Sequence, residues 1–167
     1  MQSVPFDPDN AAMVEAILSI PAFAPLGKGR LADVMRTTTI RDYAEKELVI
    51  TQGETDSCMF FLMSGHLAVE VDGVQISVLE APGTIFGEMG VIETAPRSAS
   101  VTAMEPSRCL AMDIAFFDRL EGRAKLAVQA FFYKMFYEVL VQRLRETNER
   151  IADLDMQRFV LENMEID

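Results

Sequence analysis

Arg97 stands in a run of small residues, Pro96-Arg97-Ser98-Ala99-Ser100-Val101, ten positions after the glycine that opens Gly87-Glu88-Met89-Gly90. A guanidinium keeps its charge at any working pH and can hold two oxygens of a phosphate through parallel hydrogen bonds. The stretch after Phe86-Gly87 reads as a short helix, and the opening of a helix presents backbone N–H groups of the same polarity. In a chain with a net charge of −11, a basic residue set among proline, serine and alanine calls for an anion beside it. Arginine plus free amides describes a phosphate cradle. The competing reading of the same residues is structural: Arg97 ion-paired with Glu88 or Glu93, and Glu88 placed in a first turn because the helix dipole favours an acid there.

Such a cradle needs a scaffold, and the chain has the material for one. It is 167 residues long and half apolar, enough for a sizeable core. Fifteen basic against twenty-six acidic residues repel phosphate backbones and anionic bilayers alike, so neither nucleic acid nor a membrane is the expected partner. The start, Met1-Gln2-Ser3-Val4-Pro5-Phe6-Asp7, has no basic region and no long apolar run, which predicts a cytoplasmic protein. Cys58 and Cys109 sit in apolar, strand-like contexts and read as buried, reduced thiols. The one histidine, His66, is too few for the two or three that a β-roll metalloenzyme uses, so no metal and no catalytic activity are expected.

Taken in order, Asp7-Pro8-Asp9-Asn10 offers capping side chains ahead of Met13, Ile17 and Ile20 at helical spacing, and Pro21 ends that helix. Leu31, Val34 and Met35 suggest a second short helix, making the first thirty-six residues a helical lead-in. From Thr37 the pattern turns to strands. Thr37–Ile40, Leu48–Thr51 and Met59–Met63 are candidates separated by turn signals such as Gln52-Gly53-Glu54-Thr55-Asp56. Leu67, Val69 and Val71, then Asp72-Gly73, then Val74, Ile76 and Val78 predict a two-residue hairpin. Ile85-Phe86, Ser98–Met104 and Arg108–Ile114 complete the set, with the phosphate cradle as a short helical excursion between strands.

No helix breaker follows Ala124 for a long way, so one long helix is expected to about residue 150. Its apolar stripe is broad from Leu126 through Phe132, Met135, Phe136, Val139 and Leu140, then narrows to Leu140, Leu144, Thr147, Ile151 and Leu154 at spacings of four and three. A broad stripe packs on a domain and a narrow one makes a coiled-coil seam, which predicts a homodimer through this helix. The tail, 157–167, holds a short apolar cluster in acidic surroundings that could fold back or dock on a partner.

Phe86-Gly87-Glu88-Met89-Gly90 followed by Pro96-Arg97-Ser98-Ala99-Ser100-Val101 resembles the phosphate-binding cassette of cyclic nucleotide-binding domains, the family of catabolite activator proteins, protein kinase A regulatory subunits and gated channels. Gly53, Gly65 and Gly87 resemble that family's turn glycines, and the likeness covers roughly residues 10 to 154. The implied fold is mainly β with flanking α: an antiparallel, jelly-roll-like β-roll preceded by short helices and followed by a long C-terminal helix. The expected division is 1–123 for helices and roll, and 124–167 for a lid or dimerisation helix with its acidic tail.

The resemblance implies a regulatory module, not an enzyme, that binds cAMP, with cGMP also possible. It assigns the cyclic phosphate to Arg97 and the ribose 2′-hydroxyl to Glu88; Gly87 and Gly90 allow close backbone approach, Ser98 and Ala99 would supply N–H groups to the phosphate and Ser98 a hydroxyl as well, and Met89 belongs to the same ligand-binding set. A carboxylate beside a phosphate site repels the ligand unless it binds such a hydroxyl. In the family, alanine or serine after the arginine tends to accompany cAMP and threonine cGMP, so Ser98 favours cAMP. Arg143–Arg150 is similar to the part of the long helix that covers the base, which assigns Thr147 and Asn148 to the adenine; a polar pair fixing seam register is the alternative. The chain after Leu154 leaves no room for a helix-turn-helix module, so a stand-alone sensor acting through an unidentified effector is expected. The alternative function is a degenerate scaffold for protein contacts that binds no nucleotide.

Overall fold

The structure, a computed structural model, describes residues 2–26, 31, 32, 34, 35, 37–89, 95–115 and 121–164. It divides into two units, Met1–Val128 and Gln129–Asp167. The first holds two antiparallel sheets. One has the order β1-β2-β9-β4-β7, from Gln2–Pro5, Thr38–Tyr43, Ser107–Asp113, Cys58–Ser64 and Ile85–Phe86; the other runs β3-β8-β5-β6, from Leu48–Ile50, Ser100–Ala103, Leu67–Val71 and Val74–Leu79. With the long C-terminal helix this is the mainly β roll with flanking α that the sequence predicts.

Alternation along the strands decides what faces what. Phe60 and Leu62 of β4, Cys109 and Ala111 of β9, Tyr43 of β2 and Phe86 of β7 meet Ile50, Leu67, Val101 and Ala103 of the second sheet in one core cluster. Met59 and Phe61 point to the opposite face, where the Phe61 ring packs at 4.6 Å from that of Phe23 in the N-terminal segment. Strand β4 is therefore buried on both faces, which is why its sequence is continuously apolar instead of alternating. The hairpin forms as expected, with Val71 opposite Val74 and both turn residues at positive φ, Asp72 at 51° and Gly73 at 79°.

The helix α1, Ala11–Leu18, begins where the capping residues place it: the Asn10 side chain accepts the Met13 N–H at 3.1 Å. The purely helical lead-in needs correcting, because Gln2–Pro5 is a strand paired with β2 in register Val4 to Ile40. It is a short, exposed edge strand whose proline falls at its end, a place where a missing donor costs little.

The helix α2 spans Gly122–Met164, most of it in the second unit, and continues past residue 150 into the tail. Residues 151–164 contain neither glycine nor proline, so the acidic composition does not stop it. The rings of Phe132 and Phe136, one turn apart, meet at a tilt with centroids 5.9 Å apart. Leu140, Leu144, Ile151 and Leu154 are exposed, as are Met156, Phe159 and Leu161 further on. Among the described residues no helix is long and apolar enough to cross a membrane.

Candidate functional site

Strand β7 ends at Phe86, whose ring stacks on Phe60 of β4 at 5.2 Å. The chain then turns through Gly87 at a φ of 76°, a conformation costly for any residue with a side chain. A Cβ there would lie 2.8 Å from Arg97 Nη1 and 2.9 Å from Ile50 Cδ1. Gly87 is therefore demanded twice, by its backbone angle and by the guanidinium packed against it. Glu88 and Met89 follow as helical residues; the rest of the expected cassette helix, 90–94, lies outside the described residues.

Arg97 reaches this corner from the other side. Its backbone is laced to the β3–β4 loop, donating to Glu54 O at 2.8 Å and accepting from Gly53 N at 2.9 Å. Three residues on, the Ser100 hydroxyl accepts the Gln52 N–H at 3.0 Å, while the Gln52 amide grips Asp72 at the hairpin tip. The Arg97 side chain is thereby held inward and is 2% exposed. Its Nη1 donates to Gly87 O, its Nη2 to Cys58 O and Asp56 Oδ1, and its Nε to Asp56 Oδ2 at 3.2 Å. Glu88 is buried as well, at 1% exposure. Buried charged groups of both signs, set at the end of a strand on a rigid roll, are what a site for a polar anionic ligand requires.

A sequence profile for the cyclic nucleotide-binding domain matches residues 40–123, the strands β2 to β9 and this corner with them. The chain belongs to the cyclic nucleotide-binding domain family. The family's domain is a regulatory binding module and not a catalytic one. Among curated relatives, a cyclic nucleotide-gated potassium channel of Mesorhizobium japonicum is 30% identical over 106 residues, 64% of this chain and 29% of the channel. A CRP-like cAMP-activated global transcriptional regulator of Mycobacterium tuberculosis is 27% identical over 117 residues, 68% of this chain and 50% of the regulator. The chain thus spans half or less of these relatives' lengths. In fold it is similar to a cyclic nucleotide-binding domain from Methylobacillus flagellatus, at a TM-score of 0.70 and 20% identity over 83% of this chain and 80% of that one.

Against that family background, the structure joins Gly87 directly to Arg97 through the Gly87 carbonyl and buries Glu88 in the residue that follows. Ser98 is exposed and Ala99 half-buried on the run into β8, and Met89 is 44% exposed. Thr147 and Asn148 are exposed neighbours on α2, in the second unit. The residue that sequence reasoning missed is Asp56. Arg97 is ion-paired with Asp56, a carboxylate that Gln52-Gly53-Glu54-Thr55-Asp56 had offered only as a turn; of the candidates named from the sequence, Glu93 lies outside the described residues. Lone acids in turns are common, so nothing local distinguished this one; only the pairing of that loop with Arg97 does.

The thiols behave as buried groups. Cys109 is fully enclosed, and burial pushes its ionisation up to about 12. Burial also raises Cys58, against the opposing pull of Arg41, whose Nη2 lies 3.8 Å from the sulfur. Among the described residues no group of three metal-ligating side chains occurs.

Proposed function

We infer that this chain is a cyclic nucleotide sensor with a preference for cAMP. The observation that carries the reading is that a buried Arg97 donates to the carbonyl of Gly87, the residue directly before a buried Glu88. In this reading Arg97 takes the cyclic phosphate, Glu88 accepts the ribose 2′-hydroxyl, and Gly87, Met89, Ser98 and Ala99 supply close backbone. Ser98 in place of threonine supports cAMP over cGMP, while the relatives include both a cAMP-activated regulator and cGMP-dependent protein kinases. Thr147 and Asn148 are assigned to the base, and the seam Leu140, Leu144, Thr147, Ile151 and Leu154 to a homodimer that passes ligand binding to an effector protein. Ligand can drive such an output only by its differential affinity for two states of the chain.

A second reading has one observation in its favour: Arg97 is already charge-compensated by Asp56, as it would be in a scaffold that binds no nucleotide. Thermal unfolding separates the two. cAMP at about a hundred times its dissociation constant stabilises a sensor by roughly 2.7 kcal/mol, and Arg97→Ala removes most of that gain. No shift with cAMP or cGMP contradicts the sensor.

A further inference from the structure

We propose that Arg41 is a second cation of the nucleotide site, one that attracts the cyclic phosphate by its charge while Arg97 grips it by hydrogen bonds. This role rests on the assignment of the phosphate to Arg97 and falls to a residue outside the set already assigned. Side chains alternate along β2, so Arg41 and Asp42 point to opposite faces of the first sheet. Arg41 stands opposite Cys109, a member of the core between the sheets, and Asp42 stands opposite Arg108. The outward acid is already taken, because Arg108 holds both of its oxygens, at 2.6 and 3.0 Å. The inward arginine has no such partner.

Its contacts are all neutral. Nε donates to the Thr39 hydroxyl at 3.2 Å, and Nη2 lies 3.8 Å from the Cys58 sulfur, a weak acceptor. The guanidinium carbon sits 5.6 Å from the centre of the Phe60 ring, a cation–π contact. Among the described residues no carboxylate pairs with it. A half-buried cation gives up hydration that an acid ordinarily replaces. In a chain with twenty-six acidic residues, the lack of one here points to an anion that arrives with a ligand.

Two contacts bring this charge to the phosphate reader. Cys58 receives both arginines, Arg41 on its sulfur and Arg97 Nη2 on its carbonyl oxygen. Phe60, under Arg41, lies 3.3 Å from where a Cβ on Gly87 would stand, and Gly87 O accepts from Arg97 Nη1. The sulfur and carbonyl oxygen of one cysteine are at most about 5 Å apart, so the two guanidinium groups are separated by roughly 10 Å. A phosphate on Arg97 stands at a comparable distance from Arg41. Unit charges that far apart, at an effective dielectric of about 20 and the Debye length of about 30 Å found at low salt, change a dissociation constant about tenfold.

The role is one of charge and not of side-chain shape, and substitution separates the two. Arg41→Lys keeps the charge and loses the planar fork that reaches Thr39 and Cys58, whereas Arg41→Gln and Arg41→Met remove the charge.

The test is calorimetric titration of cAMP at low salt into the full chain, as wild type and as these three variants, with circular dichroism to establish that each is folded and cGMP titrated into the wild type. Binding about tenfold weaker in the neutral variants, and within about threefold of wild type in Arg41→Lys, is the expected result. The second neutral variant keeps the test open if the first does not fold. Undiminished affinity in a folded neutral variant overturns the role of Arg41 and leaves the nucleotide reading standing. A lysine variant that binds no better than the neutral ones does the same, since it makes Arg41 a packing residue. A wild type that binds neither nucleotide overturns the nucleotide reading, and the role of Arg41 with it.

Discussion

Arg97 and Asp56 are 41 residues apart in sequence and share two hydrogen bonds along one edge of the guanidinium. The loop carrying Asp56 is itself hydrogen-bonded to the Arg97 backbone through Gly53 and Glu54. Arginine and acid are therefore positioned by the same short ladder, and a change in either loop reaches the site.

Gly87 is a sensitive position beside that ladder. Alanine there meets a φ of 76° and places Cβ at 2.8 Å from Arg97 Nη1. Gly87→Ala is expected to cost about 1–3 kcal/mol of stability and to weaken cyclic nucleotide binding by pushing the guanidinium aside. Urea denaturation and a cAMP titration read both. Unchanged stability together with unchanged affinity contradicts the geometry.

The seam on α2 gives a second prediction. Leu144 and Ile151 are exposed at coiled-coil spacing, so the proposed seam predicts that the wild type sediments as a dimer and that Leu144→Glu or Ile151→Glu sediments as a monomer. A mass that does not change with either substitution rules out this interface.

Cys109 sets a pH dependence whose sign is fixed by burial. Its thiol stays protonated in the folded chain up to about 12, while in the unfolded chain it ionises near 8.5. Above that value the unfolded state binds fewer protons, so stability falls as pH rises, by about 1–2 kcal/mol between pH 8 and pH 10. Cys109→Ala flattens that slope in urea titrations at the two pH values. A wild-type slope that the substitution leaves unchanged refutes the assignment.

How much of this could be read from the sequence depends on how far apart the cooperating residues lie. Asp72-Gly73 announced its turn and Asn10 its cap because both act within three residues. Gly87 and Arg97 were visible as a spaced pair, since a guanidinium and close backbone suit one anion, and Glu88 gained its proposed role only through the family resemblance. Strand β1 was not, because four exposed edge residues carry no alternation. The reach of α2 to Met164 was hidden by a tail whose acids suggested a separate segment, although nothing in it breaks a helix. Asp56 was invisible for the opposite reason to Asn10: its partner is brought to it by the sheets.

One calorimetric titration asks whether Arg97 reads a cyclic phosphate. cAMP titrated into the wild type is predicted to bind at one site per chain, tighter than cGMP, and Arg97→Ala is predicted to abolish the heat while circular dichroism stays native. Equal binding of cAMP by a folded Arg97→Ala chain would contradict that role of Arg97.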